Sequence, residues 1–467
     1  MPPLWLTIPI KTAIIFLMSK RMKHRSPNNR GEVGKLFRWL APGLGVKRWF
    51  FILFCGITLI SIGVALLLLD VYRTAPETWW LPVLTYLSLK PLPRILRVII
   101  FGIIGLGLIG GGLWGINRSL LVPFLRPGVE LVEQVAGYRR RERGPRVVVI
   151  GGGHGIATVL RGMKEHTQNL TAVVSVADDG GSSGELRRNL GILPPGDIRN
   201  CLAALSDDEA LLTQLFQYRF GEDTGLGGHS FGNLFISALA DVTGSFEQAV
   251  AESGRALSVH GQVLPSTLHN VRLVADVQIP QVQNEVRVKG ESQIPLTAGR
   301  VRRVWLEPDD ASAYPPVIQA ILSADMIIIG PGSLYTSILP NVLVRDLLNA
   351  IHASIALKVF VTNIATQPGE TESYNCRDHV KALEDLIGEN AIDVIICNSC
   401  YDGGLMPGTY WVRADSDIED AHRLYVADLL DRDRSGHHDA IKLAQVLMDL
   451  YNERTGPLSR ENTTQMR

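Results

Sequence analysis

The sequence predicts an α/β protein with a mainly parallel sheet, preceded by a two-helix transmembrane hairpin. Three observations support this prediction. From Arg146 onward, short β-branched runs alternate with amphipathic helical stretches, a pattern typical of a parallel sheet covered on both faces. Glycine-rich turns follow several of these runs. Two long segments without a charged residue lie upstream, and each is long enough to cross a membrane.

The first 145 residues are predicted to anchor the protein in a membrane. Residues 1–48 are strongly basic, about 49–69 and 98–116 form the two apolar spans of a hairpin at 49–117, and 118–145 form a basic linker. Because both flanks of the hairpin are basic, the termini and the following domain should be cytoplasmic, as in a multi-pass protein of the plasma (inner) membrane. Two buried core helices are the alternative to the spans.

The start of the chain is open to more than one interpretation. Leu4–Met18 is apolar but contains Pro9 and Lys11, so it is either an interfacial or signal-like segment or the product of a mis-assigned start. We favour a true first residue at Met18 or Met22.

Residues 146–454 are predicted to form one α/β domain, and the polar residues 455–467 a disordered tail. A small β-rich insertion is expected at about Gln262–Pro308, where short alternating stretches replace the continuous apolar runs. The predicted strands are Val147–Ile150, Ala172–Val176, Met326–Ile329, Val359–Thr362 and Ile392–Ile396, and the predicted helices include Asp197–Phe220, Phe231–Val242 and Ser245–Val259.

Charge and cysteine content exclude several classes of protein. The 467-residue chain has a formal net charge of zero, so no global field favours a nucleic-acid partner. Its five cysteines are too few for a disulfide framework. The lone C-x-x-C of Cys397 and Cys400 favours reduced structural cysteines at a strand end over a metal or redox site, because zinc would need two more ligands.

The first glycine turn is the principal candidate for ligand binding. Gly151, Gly152, Gly153, His154 and Gly155 join a strand to a helix. Glycines let the backbone approach phosphate oxygens, and a helix N-terminus offers free N–H groups. Two roles for His154 are favoured equally: it contacts a phosphate, or it only caps the helix. The turn is neither a P-loop nor a clean G-x-G-x-x-G.

An acidic tip follows the second strand. Asp178 and Asp179 precede Gly180-Gly181-Ser182-Ser183-Gly184. Adjacent carboxylates on a flexible loop suggest ligand hydroxyls or a divalent metal, for which Mg²⁺ is the only candidate cofactor; a solvated loop is the alternative. Nearby arginines are suited to balance the acids or hold phosphates. These are Arg187, Arg188 and Arg199.

Three further segments contribute candidate nucleotide-binding residues. Asp197 is interpreted first as an N-cap, and Asn200 is expected to face the cleft. The glycine-rich loop Gly225–Leu234 enters a helix, and Gly330–Ser337 follows the strongest strand, where loops line the ligand crevice of an α/β sheet; each is otherwise a simple connector. Their candidates are His229, Ser230 and Asn233, then Gly330, Gly332, Ser333 and Tyr335, the last as a base-stacking ring. Asn363 and Thr366–Thr371 are expected on the same rim.

These segments together resemble one bacterial family, the gluconeogenesis factors (YvcK-type) of the CofD-like superfamily. The motifs that carry the resemblance occur in the order GGGHG, VADDGGSSG, PPGDIRNCLAAL, LFQYRF, GHSFGNL, VLPST, GES, GPGSLYTSILPN and TQPGET. The resemblance covers about Arg146–Asn452 and implies a Rossmann-like CofD fold. Two departures stand out: His154 replaces the usual threonine, and the N-terminal spans are absent from shorter soluble members.

The resemblance implies a regulator that binds a UDP-sugar or related nucleotide and links carbon metabolism to cell shape and envelope synthesis. Combined with the predicted spans, it suggests a membrane-tethered cytoplasmic regulator whose partners include envelope-synthesis proteins, with a homo-oligomer left open. The wider superfamily implies an alternative, a magnesium-dependent transferase of the 2-phospho-L-lactate transferase type. Asp178 and Asp179 would then be the catalytic candidates. A nicotinamide-dependent oxidoreductase is weaker, because the glycine spacing does not fit.

Overall fold

The computed structural model describes residues 144–455 apart from 207–210, 280–284 and 415–422, together with 141–142 and scattered residues between 54 and 111. The chain divides into two compact units, Met1–Arg139 and Arg140–Arg467. Among the described residues, no helix is both long enough and apolar enough to cross a membrane. Fifteen of the 21 residues of the predicted span 49–69, eight of the 19 residues of the predicted span 98–116, and all but the first residue of the predicted tail lie outside the described residues, so these remain predictions.

The second unit is built on a seven-stranded parallel sheet, which confirms the predicted α/β class. Its strands are β1 Val147–Gly151, β2 Leu170–Val174, β3 Gln262–Pro265, β7 Met326–Ile329, β8 Leu357–Val361, β9 Val394–Asn398 and β10 Arg423–Ala427. Their order in the sheet is β10-β9-β8-β7-β1-β2-β3. The five residues of β1 are all buried, as expected for a central strand with helices on both faces.

Eleven α-helices are described between Gly153 and Thr455, and those between the strands cover the sheet. Their apolar faces join the strands in one core that includes Ile156, Leu160, Ile198 and Leu347. The helices are α1 Gly153–Met163, α2 Gly181–Leu190, α3 Gly196–Leu205, α4 Leu211–Gln217, α5 Phe231–Thr243, α6 Phe246–Ala256, α7 Pro315–Ser323, α8 Leu339–Val342, α9 Arg345–Ala353, α10 Cys376–Ile387 and α11 Ala440–Thr455.

The direction in which the chain adds strands to the sheet reverses beside β1, and this reversal determines where the site lies. After β1 the chain adds β2 and β3 on one side, then crosses to β7 and continues outward to β10. β1 and β7 run parallel, with Ile150 opposite Ile329, so the turns after them begin at the same edge. Open α/β sheets bind ligands at such switch points.

The predicted β-rich insertion is a separate three-stranded antiparallel sheet, but it is smaller than expected. It comprises β4 Arg272–Gln278, β5 Val286–Lys289 and β6 Arg300–Glu307, in the order β5-β4-β6. The first part of the predicted insertion instead forms β3, which pairs parallel with β2 at the edge of the main sheet. Its four residues are too few to display the periodicity of either kind of strand.

Several predicted boundaries were wrong. The glycine-serine segment after Asp179 is the first turn of α2 rather than a flexible loop. The single helix predicted at Asp197–Phe220 consists of α3 and α4, with 207–210 between them outside the described residues. The second strand ends at Val174 rather than Val176, and β10 was not predicted.

The sequence predicted that Cys397 and Cys400 are both reduced, and the structure agrees with this only for Cys400. Cys397, at the buried end of β9, has its Sγ within bonding distance of Cys376 at the start of α10, with Cα atoms 6.6 Å apart. Cys400 has a free thiol. The C-x-x-C spacing therefore does not define a pair in this fold.

Candidate functional site

A cavity of about 670 Å³ opens at the carboxyl edge of β1 and β7. Its walls come from the turn after β1, the acidic tip after β2, the loops after β7 and β8, and a far wall around Met406 and His437. The predicted site residues on these walls are Gly152, Gly153, His154, Gly155, Asp178, Gly332, Ser333 and Asn363.

The two glycine bends meet in this cavity, as the sequence predicted. A Cβ on Gly155 would lie 2.0 Å from the carbonyl oxygen of Pro331, and one on Gly152 would lie 2.5 Å from Oγ of Ser337. Only glycine allows this approach. The two bends therefore enclose one shared cavity and do not lie at opposite ends of the sheet.

A chain of amides lines the β7 and β8 side of the cavity. The N–H of Gly332 donates to Oδ1 of Asn363 at 3.0 Å, and Nδ2 of Asn363 donates to Oε1 of Gln367 at 3.3 Å. Nε2 of Gln367 in turn donates to Oγ of Ser333 at 2.7 Å. These bonds fix the orientation of neutral donors and acceptors on the rim where the sequence placed Asn363.

Asp197 plays a different role from the predicted N-cap. The N-cap of α3 is Pro195, and the Asp197 carboxylate accepts a hydrogen bond from the N–H of Gly153 at the start of α1. Burial raises the pKa of Asp197, while the Gly153 bond opposes this rise. A protein carboxylate thus already occupies part of the α1 N-terminus, and a ligand anion would have to use other donors there.

Carboxyl groups form one wall of the cavity. Burial and the nearby charge of Asp197 raise the pKa of Asp178 to about 6. Burial, with the charges of Asp178 and Asp197, raises the pKa of Glu291 to about 8. Glu291 lies in the short 3₁₀ turn after β5. Because its pKa is raised to about 8, its carboxyl group is mainly protonated at neutral pH and can donate a hydrogen bond. Apart from the GES motif, no chemical signal in the sequence indicated this role for Glu291.

The two adjacent aspartates do not form a metal pair. Asp178 lines the cavity and accepts from the N–H of Gly180 at 2.9 Å. Asp179 turns away, and its Oδ1 accepts from the N–H of Ser292 at 3.0 Å. Within the part of the chain that the structure describes, no cluster of three His, Cys, Asp or Glu residues could hold a metal ion. The two carboxylates are not brought together as the metal alternative requires, because Asp179 anchors the 3₁₀ turn, and the other predicted role, binding of ligand hydroxyls, stays a prediction for Asp178.

Tyr335 is not placed to stack on a base. Its ring is 7% exposed, and its hydroxyl lies 2.7 Å from that of Tyr374. Burial and this hydrogen bond raise its pKa. Its N–H and Oγ of Thr336 donate to the buried carboxylate of Glu370, which holds the loop after β7. The aromatic residue is therefore part of the core.

Gly151 and Gly330 are close-packing positions rather than cavity walls. A Cβ on Gly151 would lie 2.6 Å from Cγ2 of Ile156. Gly330 has φ +75°, and a Cβ there would lie 2.9 Å from the carbonyl oxygen of Val361. Both glycines shape the bends without facing the ligand space.

Six further predicted residues form a second polar group, which the cavity walls do not include. Oγ of Ser182 lies 2.9 Å from Nδ1 of His229 and accepts from Nδ2 of Asn233 at 3.0 Å. Ser230 caps α5 by accepting from the N–H of Asn233. We call Ser182, Arg199, Asn200, His229, Ser230 and Asn233 the Arg199 cluster.

Three other predicted residues support the acidic tip. Ser183 hydrogen-bonds the carboxylate of Asp178. Arg187 donates to the carbonyl oxygen of Asp178 at 3.1 Å and also to Asn270. Arg188 donates to the carbonyl oxygen of Asp179 at 3.3 Å. These two arginines thus bind the backbone of the tip rather than ligand phosphates.

Comparisons with known proteins agree with this architecture. A family model described as 2-phospho-L-lactate transferase CofD matches residues 147–425. The gluconeogenesis factor of Bacillus subtilis is 44% identical over 318 residues, covering 66% of this chain and 99% of that protein. A Nostoc sp. protein assigned provisionally to the same function is 43% identical over 438 residues, covering 90% of this chain and 93% of the relative.

A solved structure extends the match to three dimensions. The crystal structure of a UPF0052 family protein from Bacillus halodurans has a TM-score of 0.60 and 38% sequence identity, covering 66% of this chain and 99% of that one. The fold and the cavity between the two bends define an α/β protein of the CofD-like, Rossmann-like type. Within that superfamily, the chain belongs to the gluconeogenesis factor family.

Proposed function

We propose that this protein is a nucleotide-sugar-binding regulator that takes a UDP-sugar in the cavity between β1 and β7. The proposal rests on one observation. Two glycine bends at the switch point of a parallel sheet enclose a single cavity of about 670 Å³. That volume falls in the range of roughly 300–1,000 Å³ that is common for small-molecule sites. Bends of this kind suit a pyrophosphate, because backbone N–H groups can approach its oxygens closely.

Two kinds of residue on the cavity walls suit two different parts of the ligand. The glycine bends and the amides of Asn363 and Gln367 supply neutral donors for the diphosphate. Asp178 and the protonated Glu291 face the same cavity, where they suit the hydroxyls of ribose and sugar as acceptor and donor.

The regulatory part of the proposal rests on family membership and on the predicted N-terminal spans. As a membrane-tethered cytoplasmic regulator, the protein would sense a sugar nucleotide beside the machinery that builds the envelope and would link carbon metabolism to cell shape. Because the carboxylates of Asp178 and Asp179 diverge, the geometry does not favour the magnesium-dependent transferase.

Isothermal titration calorimetry with UDP-N-acetylglucosamine tests the proposal. Asn363→Asp keeps the oxygen that accepts from Gly332 but adds a negative charge beside the proposed diphosphate. We expect at least about tenfold weaker binding, or about 1.4 kcal/mol. Asn390→Asp makes the same change on an exposed loop before the amino end of β9, so it should bind like the wild type. Absence of saturable binding by the wild type would refute the proposal.

A further inference from the structure

Arg199 is a buried guanidinium without an acidic partner in contact. The residue is 6% exposed. Its Nη2 donates to Oδ1 of Asn200 at 2.8 Å, and its Nη1 donates to Oγ of Ser230. Its Nε has no hydrogen-bond partner. Among the described residues, no carboxylate lies within ion-pair distance of it, so two neutral oxygens are its only direct partners.

A buried charge in this state is costly to maintain. Neutral acceptors replace only part of the lost hydration, and an uncompensated buried ion destabilises the folded state. Burial lowers the pKa of Arg199, Arg219 lowers it further, and the more distant Asp197 and Asp178 oppose the shift. A bound anion would supply the missing compensation.

The surroundings of Arg199 are also arranged for an anion. The first turn of α5 packs on the arginine stem, since a Cβ on Gly232 would lie 2.8 Å from its Cγ and Cδ. This contact directs the N-terminus of an amphipathic helix of 13 residues towards the cluster, and helix N-termini attract anions. Burial, then Arg199, Arg161 and Arg219 lower the pKa of His154, and only Asp178 opposes them, so positive charge predominates near that side chain.

A second buried group in the cluster also lacks a partner. Asn233 is 2% exposed, and its Oδ1 accepts no hydrogen bond. Since amide orientation is assigned from the hydrogen-bond network, one end of this side chain is unpaired in either orientation. Within the described part of the chain, the only acid in contact with the cluster is Glu185, whose Oε2 lies 3.5 Å from Nε2 of His229. Glu185 is half exposed and does not reach Arg199.

We infer that the Arg199 cluster is an anion subsite that takes a phosphoryl group. His154 joins it to the cavity, because its ring lines the cavity while Nδ1 lies 3.4 Å from Nδ2 of Asn200. The inference goes beyond the proposed function, since it requires neither a nucleotide nor a sugar. The phosphoryl group belongs either to the diphosphate of the cavity ligand or to a separate phosphomonoester.

Asn200→Asp provides a direct test with inorganic phosphate as the probe. The variant places a carboxylate where Asn200 already accepts from Arg199, and so provides internally the charge that the ligand would supply. Calorimetry and thermal unfolding of the full chain, at constant ionic strength, should show a melting temperature equal to or above that of the wild type without phosphate. Phosphate affinity should fall at least about tenfold.

Two further variants complete the experiment. Arg199→Gln removes the charge and should also abolish phosphate binding, whereas Asn390→Asp should leave binding unchanged. Wild-type phosphate affinity in both Asn200→Asp and Arg199→Gln would overturn the inference. A loss of stability in Asn200→Asp would also overturn it, because Arg199 would then already be compensated.

The source of the phosphoryl group follows from repeating the titration with saturating UDP-N-acetylglucosamine. Retained phosphate binding assigns the subsite to a separate phosphomonoester, and competition assigns it to the diphosphate; either outcome supports the subsite. If the chain binds phosphate but no UDP-sugar, only the proposed function fails. If it binds UDP-sugar normally while Asn200→Asp and Arg199→Gln both leave phosphate affinity unchanged, only the subsite fails.

Discussion

Glu291 illustrates how one residue can couple the cavity to pH. It lies among carboxyl groups on the cavity wall, and burial together with Asp178, Asp197, Glu370 and Asp179 raises its pKa to about 8. The unfolded chain would titrate this group near its ordinary value of 4.5. Between these two values the folded state holds the proton more tightly, so this group makes stability fall as pH rises.

We therefore predict that Glu291→Gln flattens the pH dependence of stability. Glutamine keeps the shape of the protonated acid but cannot ionise, so the variant should gain stability relative to the wild type from about pH 5 to pH 8. Each unit of pKa shift corresponds to about 1.4 kcal/mol, and a gain on that order at pH 8 is expected. Urea unfolding at pH 5 and pH 8 measures the difference.

The matched control is Glu389→Gln, which removes a carboxylate from an exposed position before β9. It should leave the pH profile of the wild type unchanged. Parallel profiles for Glu291→Gln and the wild type would show that Glu291 titrates normally in the folded protein, and they would remove the case for a protonated donor in the cavity.

At the scale of elements, the contact between α1 and the loop after β7 determines whether the cavity exists. Gly155 sits in the first turn of α1 against the backbone of Pro331 and Gly332. Because the two elements meet here through backbone atoms, a clash could not be relieved by moving a single side chain. The two elements are therefore fixed in place by a position that tolerates no Cβ.

Gly155→Ala should accordingly separate α1 from this loop and destabilise the protein by about 3 kcal/mol or more. Gly254→Ala is the matched control, because Gly254 is also helical, and its added Cβ would make only ordinary van der Waals contacts, with Cδ2 of Leu202 at 3.6 Å and Cβ of Val259 at 3.8 Å. Alanine is the better helix former, so this control should gain about 0.5–1 kcal/mol. Equal melting temperatures for the two variants would contradict the close contact.

The elements that the sequence predicted well are those with a strong local signal. Met326–Ile329 is wholly apolar and matches β7 residue for residue, and the first bend after β1 follows from its glycines. In contrast, α2 begins with Gly181-Ser182-Ser183-Gly184, whose intrinsic helix propensity is low. Tertiary contacts stabilise that turn, including Asn233 with Ser182, and a single sequence does not display such contacts.

The site was predicted by position better than by orientation. Strand ends identified the edge of the sheet, so Asp178, Gly332 and Asn363 lie where expected. However, Asp179 and Tyr335 lie close in sequence to residues of the cavity wall, and their side chains nevertheless point away from the cavity. Glu291 comes from the turn between β5 and β6, more than 100 residues after Asp178, so its approach depends on the tertiary fold.

At the scale of the whole molecule, the N-terminal 139 residues and the α/β unit serve different purposes in our proposal. The cavity belongs entirely to the second unit. The first carries the predicted spans at 49–69 and 98–116 and the basic residues that flank them. A basic segment alone binds anionic lipid reversibly, because salt screens that attraction within about 10 Å at 0.1 M. An apolar hairpin holds by the hydrophobic effect, which salt does not weaken.

This difference makes the tether testable with the full chain. Membranes from cells that produce it should retain the protein in 1 M NaCl and at alkaline pH, and detergent should release it, because burying two spans in hydrocarbon is effectively irreversible. The Bacillus subtilis relative, which aligns with only 66% of this chain, is the control and should remain in the supernatant throughout. Release of the full chain by salt alone would reduce the tether to a basic surface contact. Recovery in the supernatant before any wash would instead remove the membrane from the proposal and leave the sugar-nucleotide site to be judged by its own binding experiments.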